Sequence, residues 1–190
     1  MKKLFFITII LLFASNLFAQ KDTAFYKHEV KASVGDAFLA TFWCSDGTVL
    51  YANFSVAYFY RPVKWFWVGG NFINYFGEKI SYHLREYDEN GNFSDFSKSK
   101  IKYCAVIAPE FRFSYRNRKN TIFYSALSGG ICLQDGYTRS HYKYPEINYY
   151  FQLTYFGFSC NFGENKNIFL GGELGLGFKG LFNIHGGYRF

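Results

Sequence analysis

Apolar and polar residues alternate along this chain in blocks of strand length, separated by clusters rich in Gly, Pro, Asn, Asp and Ser. A period of two sends successive side chains to opposite faces of an extended segment. Three connections are short and polar: Pro62-Val63-Lys64, Arg116 to Asn120, and Gly163 to Asn167. Three longer ones alternate with them: Gly35 to Thr48, His83 to Ser97, and Asp135 to Glu146. Between these signals the pattern predicts eight strands, over residues 25–34, 49–61, 65–82, 98–115, 121–134, 147–162, 168–178 and 181–190.

Residues opposed across a tight turn share a face, so the faces can be read hairpin by hairpin. Opposing Arg61 to Trp65 puts Phe54, Val56, Tyr58 and Tyr60 on the face of Phe66, Val68, Gly70 and Phe72, with Asn53, Ser55 and Asn71 on the other. Centring the second short turn on Arg118 groups Ala105, Ile107, Phe111 and Phe113 with Phe123, Leu127, Gly129 and Ile131, against Glu110, Arg112 and Ser114. Centring the third on Asn165 aligns Phe156, Phe158, Cys160 and Phe162 with Ile168, Leu170, Gly172 and Leu174, against Ser159, Asn161 and Glu173. The last strand follows suit, with Phe182, Ile184, Tyr188 and Phe190 on the apolar face and Asn183, His185 and Arg189 on the polar one. Between Thr154 and Phe156 the phase slips, as a β-bulge would make it.

One face is thus almost wholly aliphatic and aromatic, and the other carries the charges. In lipid every backbone polar group must be satisfied within the sheet, so a spanning β-structure closes on itself and turns its apolar face outward. A soluble barrel would need that face inward, with Glu110, Arg112 and Glu173 turned outward to water. The predicted fold is all-β: an eight-stranded antiparallel up-and-down transmembrane β-barrel, forming one domain over residues 20–190. Short turns alternating with long loops are the pattern of periplasmic turns and extracellular loops, and an even strand count puts both termini in the periplasm.

Composition sharpens this reading. Aromatic residues make up 24% of the chain, with 25 Phe and 17 Tyr, as girdles at two membrane interfaces would require. At the start, Lys2 and Lys3 precede an apolar run from Leu4 to Phe13, followed by small and polar residues to Ala19-Gln20. That is the layout of a secretory signal peptide over residues 1–19, although Leu17, two residues before Ala19, departs from the small residue favoured there. The run is short of the ~20 residues that a spanning helix needs. Removing Lys2 and Lys3 lowers the formal charge from +7 to +5, and the basic residues are scattered over turns and loops. Scattered charge of this kind suits an anionic lipid surface better than nucleic acid, which is not an expected partner.

With these residues in view, the chain resembles the small eight-stranded outer-membrane β-barrels of Gram-negative bacteria, the OmpA/OmpX-like class, over essentially all of its mature length. The resemblance implies residence in the outer membrane, contact with outer-membrane lipid, and insertion by the barrel-assembly machinery. That machinery reads a last strand ending in an aromatic residue with a hydrophobic one two before it, which Tyr188 and Phe190 supply. The glycine usual five residues before the end is His185 here, with Gly186 and Gly187 beside it.

An eight-stranded barrel has an interior only just wide enough for its own side chains. The inward residues Arg61, Glu110, Arg112, Glu173, His185 and Arg189 are therefore expected to form a mutually neutralising lumen network, a plug and not a pore. The four histidines, at 28, 83, 141 and 185, lack a second ligand at metal spacing, and Asp88, Glu89, Asn90 and Asp95 lack the order of a Ca²⁺ loop. No metal or cofactor is expected. Cysteines 44, 104, 132 and 160 would stand in an oxidising compartment. The turn centre at Arg118 sets Cys104 across from Cys132 and predicts a disulfide between them, with Cys160 facing lipid.

The functional reading is a non-enzymatic, monomeric integral outer-membrane barrel whose loops at 35–48, 83–97 and 135–146 serve envelope or surface interactions. Three alternatives stay open: a lipid-modifying hydrolase or acyltransferase, a narrow solute channel, and a soluble lipocalin-like ligand binder. The enzyme would draw on Ser140, His141 and Asp135, because a serine nucleophile needs a histidine base and an acid to orient it. Adjacent side chains of an extended segment point opposite ways, which works against a Ser140–His141 pair.

Overall fold

The period-two blocks become strands. A computed structural model describes residues 26–43, 48–81, 97–100, 104–118, 120–135 and 145–190. Its strands are β1 (His28–Asp36), β2 (Thr48–Val63), β3 (Phe66–Ser81), β4 (Ser97–Lys100), β5 (Cys104–Asn117), β6 (Thr121–Asp135), β7 (Pro145–Phe162), β8 (Ile168–Gly177) and β9 (Phe182–Arg189). β4 and β5 both pair with β3 and share one position in the sheet, so the barrel has eight antiparallel staves. Each stave pairs with its chain neighbours, and β1 pairs with β9, which closes the sheet in up-and-down order. Among the described residues closure gives each of the eight staves a hydrogen-bonded neighbour on both sides, while the short extension β4 is paired to β3 alone. The predicted signal peptide and Cys44 lie outside the described residues.

Face assignments hold throughout, whereas two registers move. Tyr60 pairs with Val68 and Val56 with Phe72, two residues along from the alignment read from Arg61 and Trp65. Cys104 pairs with Gln134, and Cys132 pairs with Val106. In each hairpin the turn lies further along the chain than its assumed centre, and a register shift, at Tyr60/Val63 and at Ser114/Arg116, takes one residue back. The net slip is even, so every side chain keeps its face. The third hairpin has the predicted pairs, Phe162 with Ile168 and Phe158 with Gly172, and the expected bulge falls between Thr154 and Phe156.

The register change corrects the disulfide expectation. Cys104 and Cys132 both point inward and are buried, but they stand diagonally, and their Sγ atoms are 3.6 Å apart. An S–S bond is about 2.05 Å long; no disulfide joins them. Cys160 is on the outer face, half-buried.

Outside and inside are inverted relative to a water-soluble protein. Ile107, Leu170 and Val34 on the outer face are 57%, 55% and 56% exposed, while Arg189 and Lys31 inside are 2% and 0% exposed. Space for large inward side chains comes from inward glycines on neighbouring strands, the small-against-large fit of a narrow barrel. A Cβ at Gly157 would stand 2.5 Å from the Tyr124 ring, and one at Gly187 2.7 Å from the Phe169 ring.

Two connections at the long-loop end turn into the barrel. Residues 38–43 form a short helix, α1 (Phe38–Trp43), inside the first long connection. Ala37 and Ala40 are fully buried there against Leu50, Ile73, Tyr75, Val106, Tyr150 and Phe178, so this end of the lumen is apolar and roofed. Thr41 fixes the roof: its Oγ1 donates to the Leu50 carbonyl at 3.1 Å and accepts from the Leu50 N–H at 2.9 Å. The β8–β9 connection folds inward as well. Gly177 and Gly180, with φ of 133° and 86°, supply the left-handed backbone for this reversal.

Substituting Gly157 by Ala drives a methyl into the Tyr124 ring and is expected to cost about 1–3 kcal/mol. Gly129→Ala, where the nearest atom is the Tyr150 carbonyl oxygen at 3.7 Å, is expected to change stability by less than about 0.5 kcal/mol. Urea titration of the two folded variants beside the parent measures both.

Candidate functional site

Among the described residues the lumen holds the densest cluster of ionisable side chains. β1 alternates Val30 and Val34 outward with Glu29, Lys31 and Ser33 inward, and β5, β8 and β9 place Glu110, Arg112, Glu173 and Arg189 on the same inner face. Lys179 joins them from the β8–β9 turn. Its backbone N–H donates to Gln152 Oε1 at 2.7 Å, and its carbonyl accepts from Asn53 Nδ2 at 3.0 Å and Asn183 Nδ2 at 2.7 Å. Three lumen amides thus satisfy a turn that water would otherwise solvate.

These seven ions form one chain of alternating sign. Arg189 Nε donates to Glu29 Oε2 at 2.8 Å, and Arg112 Nη1 donates to Glu29 Oε1 at 2.5 Å. Arg112 Nε continues to Glu110 Oε1 at 2.8 Å, and Glu110 Oε2 accepts from Lys179 Nζ at 2.9 Å. Lys179 also reaches Glu173 Oε2 at 3.3 Å, and Lys31 Nζ closes the series on Glu173 Oε1 at 2.6 Å. Every carboxylate oxygen therefore faces a cation. Neutral donors complete the shell: Tyr124 Oη to Glu173 at 2.6 Å and Asn71 Nδ2 to Glu110. Arg189 further donates to Ser159 Oγ at 2.8 Å and to Asn161 Oδ1.

Aromatic faces carry the remaining charge. The Arg112 guanidinium lies 3.3 Å from the Phe59 ring centroid and 5.1 Å from that of Tyr124, and Arg189 lies 4.0 Å from Phe169. A desolvated cation over such a face gains about 2 kcal/mol. Four cations meet three carboxylates in the chain, so the rings stand where a fourth anion would be needed.

Of the six residues predicted to meet in the lumen, Glu110, Arg112, Glu173 and Arg189 are members of this chain. Arg61 is buried at the short-turn end, where its Nε donates to the Lys64 carbonyl at 3.1 Å and its guanidinium lies 4.9 Å from the Trp67 centroid. His185 is buried between Tyr124 and Phe169, with ring centroids at 6.3 and 5.9 Å, and neither ring nitrogen has a hydrogen-bond partner among the described residues. Glu29, Lys31 and Lys179 were not among the six. The first two were legible in the alternation of Val30 and Val34 with Glu29 and Lys31; Lys179 lies in a connection, where period two gives no signal.

Tyr188 and Phe190 sit on the outer face with ring centroids 6.2 Å apart. Ser140 and His141 lie outside the described residues, and of Asp135 the structure describes the backbone, paired with Pro145 at the end of β6.

No protein-family model matches this chain, and no curated protein matches it. Arg189, Lys31, Lys179, Glu29, Glu110 and Glu173 are among the largest fully buried side chains of the molecule. They lie buried in the interior, paired with one another.

Neutralising Glu173 as Gln strands Lys31 in the lumen and is expected to cost about 3–5 kcal/mol, the usual result of halving a buried pair. Adding Lys31→Met is expected to recover part of that loss, with a coupling of about 0.5–3 kcal/mol. Urea unfolding of the two single variants and the double variant completes the cycle; additive losses would show that the pair does not interact.

Proposed function

We propose that the protein is an integral outer-membrane β-barrel of the small OmpA/OmpX-like kind, non-enzymatic, closed by its own lumen side chains, and presenting its long-loop end for envelope or surface interactions. The observation that carries this reading is the inversion of the barrel. Large apolar side chains cover the outer face all round, and seven paired ions fill the interior. Exposed apolar area on a soluble monomer seldom exceeds a few hundred Å² in one patch, and a continuous belt requires a nonaqueous neighbour. A lipocalin-like binder needs the opposite arrangement, an apolar interior along its whole length.

The belt also has the chemistry of a bilayer boundary. At the short-turn end the Trp65 ring stacks with Phe113 at 6.3 Å and His28 stacks with Phe190 at 5.3 Å, while His28 Nδ1 lies 2.6 Å from Tyr58 Oη. Amphipathic rings of this kind suit the interfacial zone, with apolar bodies toward the chains and polar tips toward water. Such a site implies a signal peptide over residues 1–19 and delivery to the barrel-assembly machinery, for which the last strand with Tyr188 and Phe190 would be the recognised segment. The ion chain across the lumen favours a closed barrel over a solute channel. Function then falls to the connections at 35–48, 83–97 and 135–146, on a frame rigid enough to present them.

A closed membrane barrel resists SDS until it is heated. The mature protein from a detergent-extracted outer-membrane fraction is expected to migrate differently unheated and boiled. Recovery in the soluble periplasmic fraction with one mobility under both conditions would overturn the membrane reading.

A further inference from the structure

The short-turn end carries a second charge pattern, unconnected to the lumen. Four junctions form its rim: the entry to β1 beside the end of β9, and the β2–β3, β5–β6 and β7–β8 turns. Each presents an outward cation, namely Lys27, Lys64, the pair Arg116 and Arg118, and Lys166. Lys166 is partly exposed and the others are exposed. Among the described residues of these junctions the one carboxylate side chain is that of Glu164. None of the five cations is ion-paired among the described residues, in contrast to the seven ions inside. One long connection differs in sign: residues 83–97 set Arg85 against Glu86, Asp88, Glu89 and Asp95.

Aromatic rings lie immediately beside these cations on the outer face. Lys27 donates its N–H to the Phe190 carbonyl at 3.1 Å, which puts it next to the His28–Phe190 stack. Lys64 precedes Trp65, stacked on Phe113. Arg116 lies 5.6 Å from the Phe123 ring centroid, so its guanidinium stays on the outer face of the sheet. Rings at the strand ends, with cations beside them that have no ion pair among the described residues, match two layers of a lipid monolayer edge: ester carbonyls with acyl chain tops, then phosphates.

We propose that this rim is a binding surface for anionic glycerophospholipid, with the phosphates held by Lys27, Lys64, Arg116, Arg118 and Lys166. It rests on the membrane reading above and adds which lipid class the barrel prefers and at which end. A zwitterionic headgroup carries its own ammonium and offers the rim no net charge; an anionic headgroup, such as phosphoglycerol, leaves its phosphate charge for the cations. A cation near an anionic lipid surface raises affinity about five-fold.

The test uses the full mature chain refolded into phosphatidylcholine vesicles containing trace spin-labelled phosphatidylglycerol or spin-labelled phosphatidylcholine. The motionally restricted fraction in the EPR spectrum gives the relative association of each lipid with the barrel. Phosphatidylglycerol is expected to associate about five-fold or more strongly, and the preference is expected to fall towards unity in the variant K27Q/K64Q/R116Q/R118Q/K166Q. It is expected to persist in K98Q/K100Q, which removes two cations near the opposite end. Equal association of both lipids with the parent, or a preference that survives the five substitutions, would overturn the proposal. If that variant does not refold, R116Q/R118Q decides: its preference is expected to fall at least about two-fold, and an unchanged value overturns the proposal. A parent chain that enters no vesicle and shows no heat-dependent gel shift defeats the membrane reading and this rim with it. One that enters, shifts and shows no lipid preference defeats the rim alone.

Discussion

A buried carboxylate in this lumen is tolerable only while both of its oxygens face cations, and Glu29, Glu110 and Glu173 all meet that condition by sharing partners. Taking an ion out of water costs several kcal/mol, and a buried pair recovers that only with good geometry and further hydrogen bonds. Here the recovery is collective. Arg112 serves Glu29 and Glu110, and Lys179 serves Glu110 and Glu173, so removing one ion exposes its neighbours on both sides. The chain ties β1, β5, β8, β9 and the β8–β9 turn across the interior, and Phe59 of β2, Asn71 of β3, Tyr124 of β6 and Ser159 of β7 join it through rings and neutral hydrogen bonds. Every stave therefore has a stake in the same set of ions.

Fitting that set into a narrow barrel fixes much else. Tyr124 reaches Glu173 across the space that Gly157 leaves, and Phe169 underlies Arg189 where Gly187 carries no side chain. Towards the long-loop end the ions give way to Ile73, Val106, Tyr150 and Phe178, capped by Ala37 and Ala40. Lys179 and Glu110 are themselves buried from water, which strengthens their attraction. Charge at mid-height and an apolar lid above it fill the interior as two complementary layers.

Most of this architecture was legible because period two survives errors of register. Turn centres read from Arg61, Trp65 and Arg118 misplaced two hairpins, yet a displaced turn and a one-residue bulge combine to an even slip, so Phe54, Ile107 and Glu110 stayed on their assigned faces. Properties that depend on position along the strand did not survive. Cys104 and Cys132 exchanged an opposed pairing for a diagonal one, and the bond inferred from opposition was lost with it. The connections were least legible. Gly35, Asp36 and the Ser45-Asp46-Gly47 cluster mark Gly35 to Thr48 as a connection but do not reveal that Ala37 and Ala40 turn into the barrel. Lys179 reads as a turn lysine until Asn53, Gln152 and Asn183, from three other segments, are seen to hold its backbone inside.

The sharing of ions has a consequence for how such a sequence can drift. On the outer face Leu, Ile, Val and Phe stand clear of the ion chain, and one can replace another with little effect as long as the alternation holds. Inside, Arg112 cannot change sign without Glu29 and Glu110 changing with it, and those in turn involve Arg189 and Lys179. The exterior is free to wander residue by residue, while the interior can move only in linked blocks. Divergent lineages of this barrel would lose recognisable outer-face identity first and keep an alternating run of charges that only a strand-by-strand alignment of inward positions would reveal.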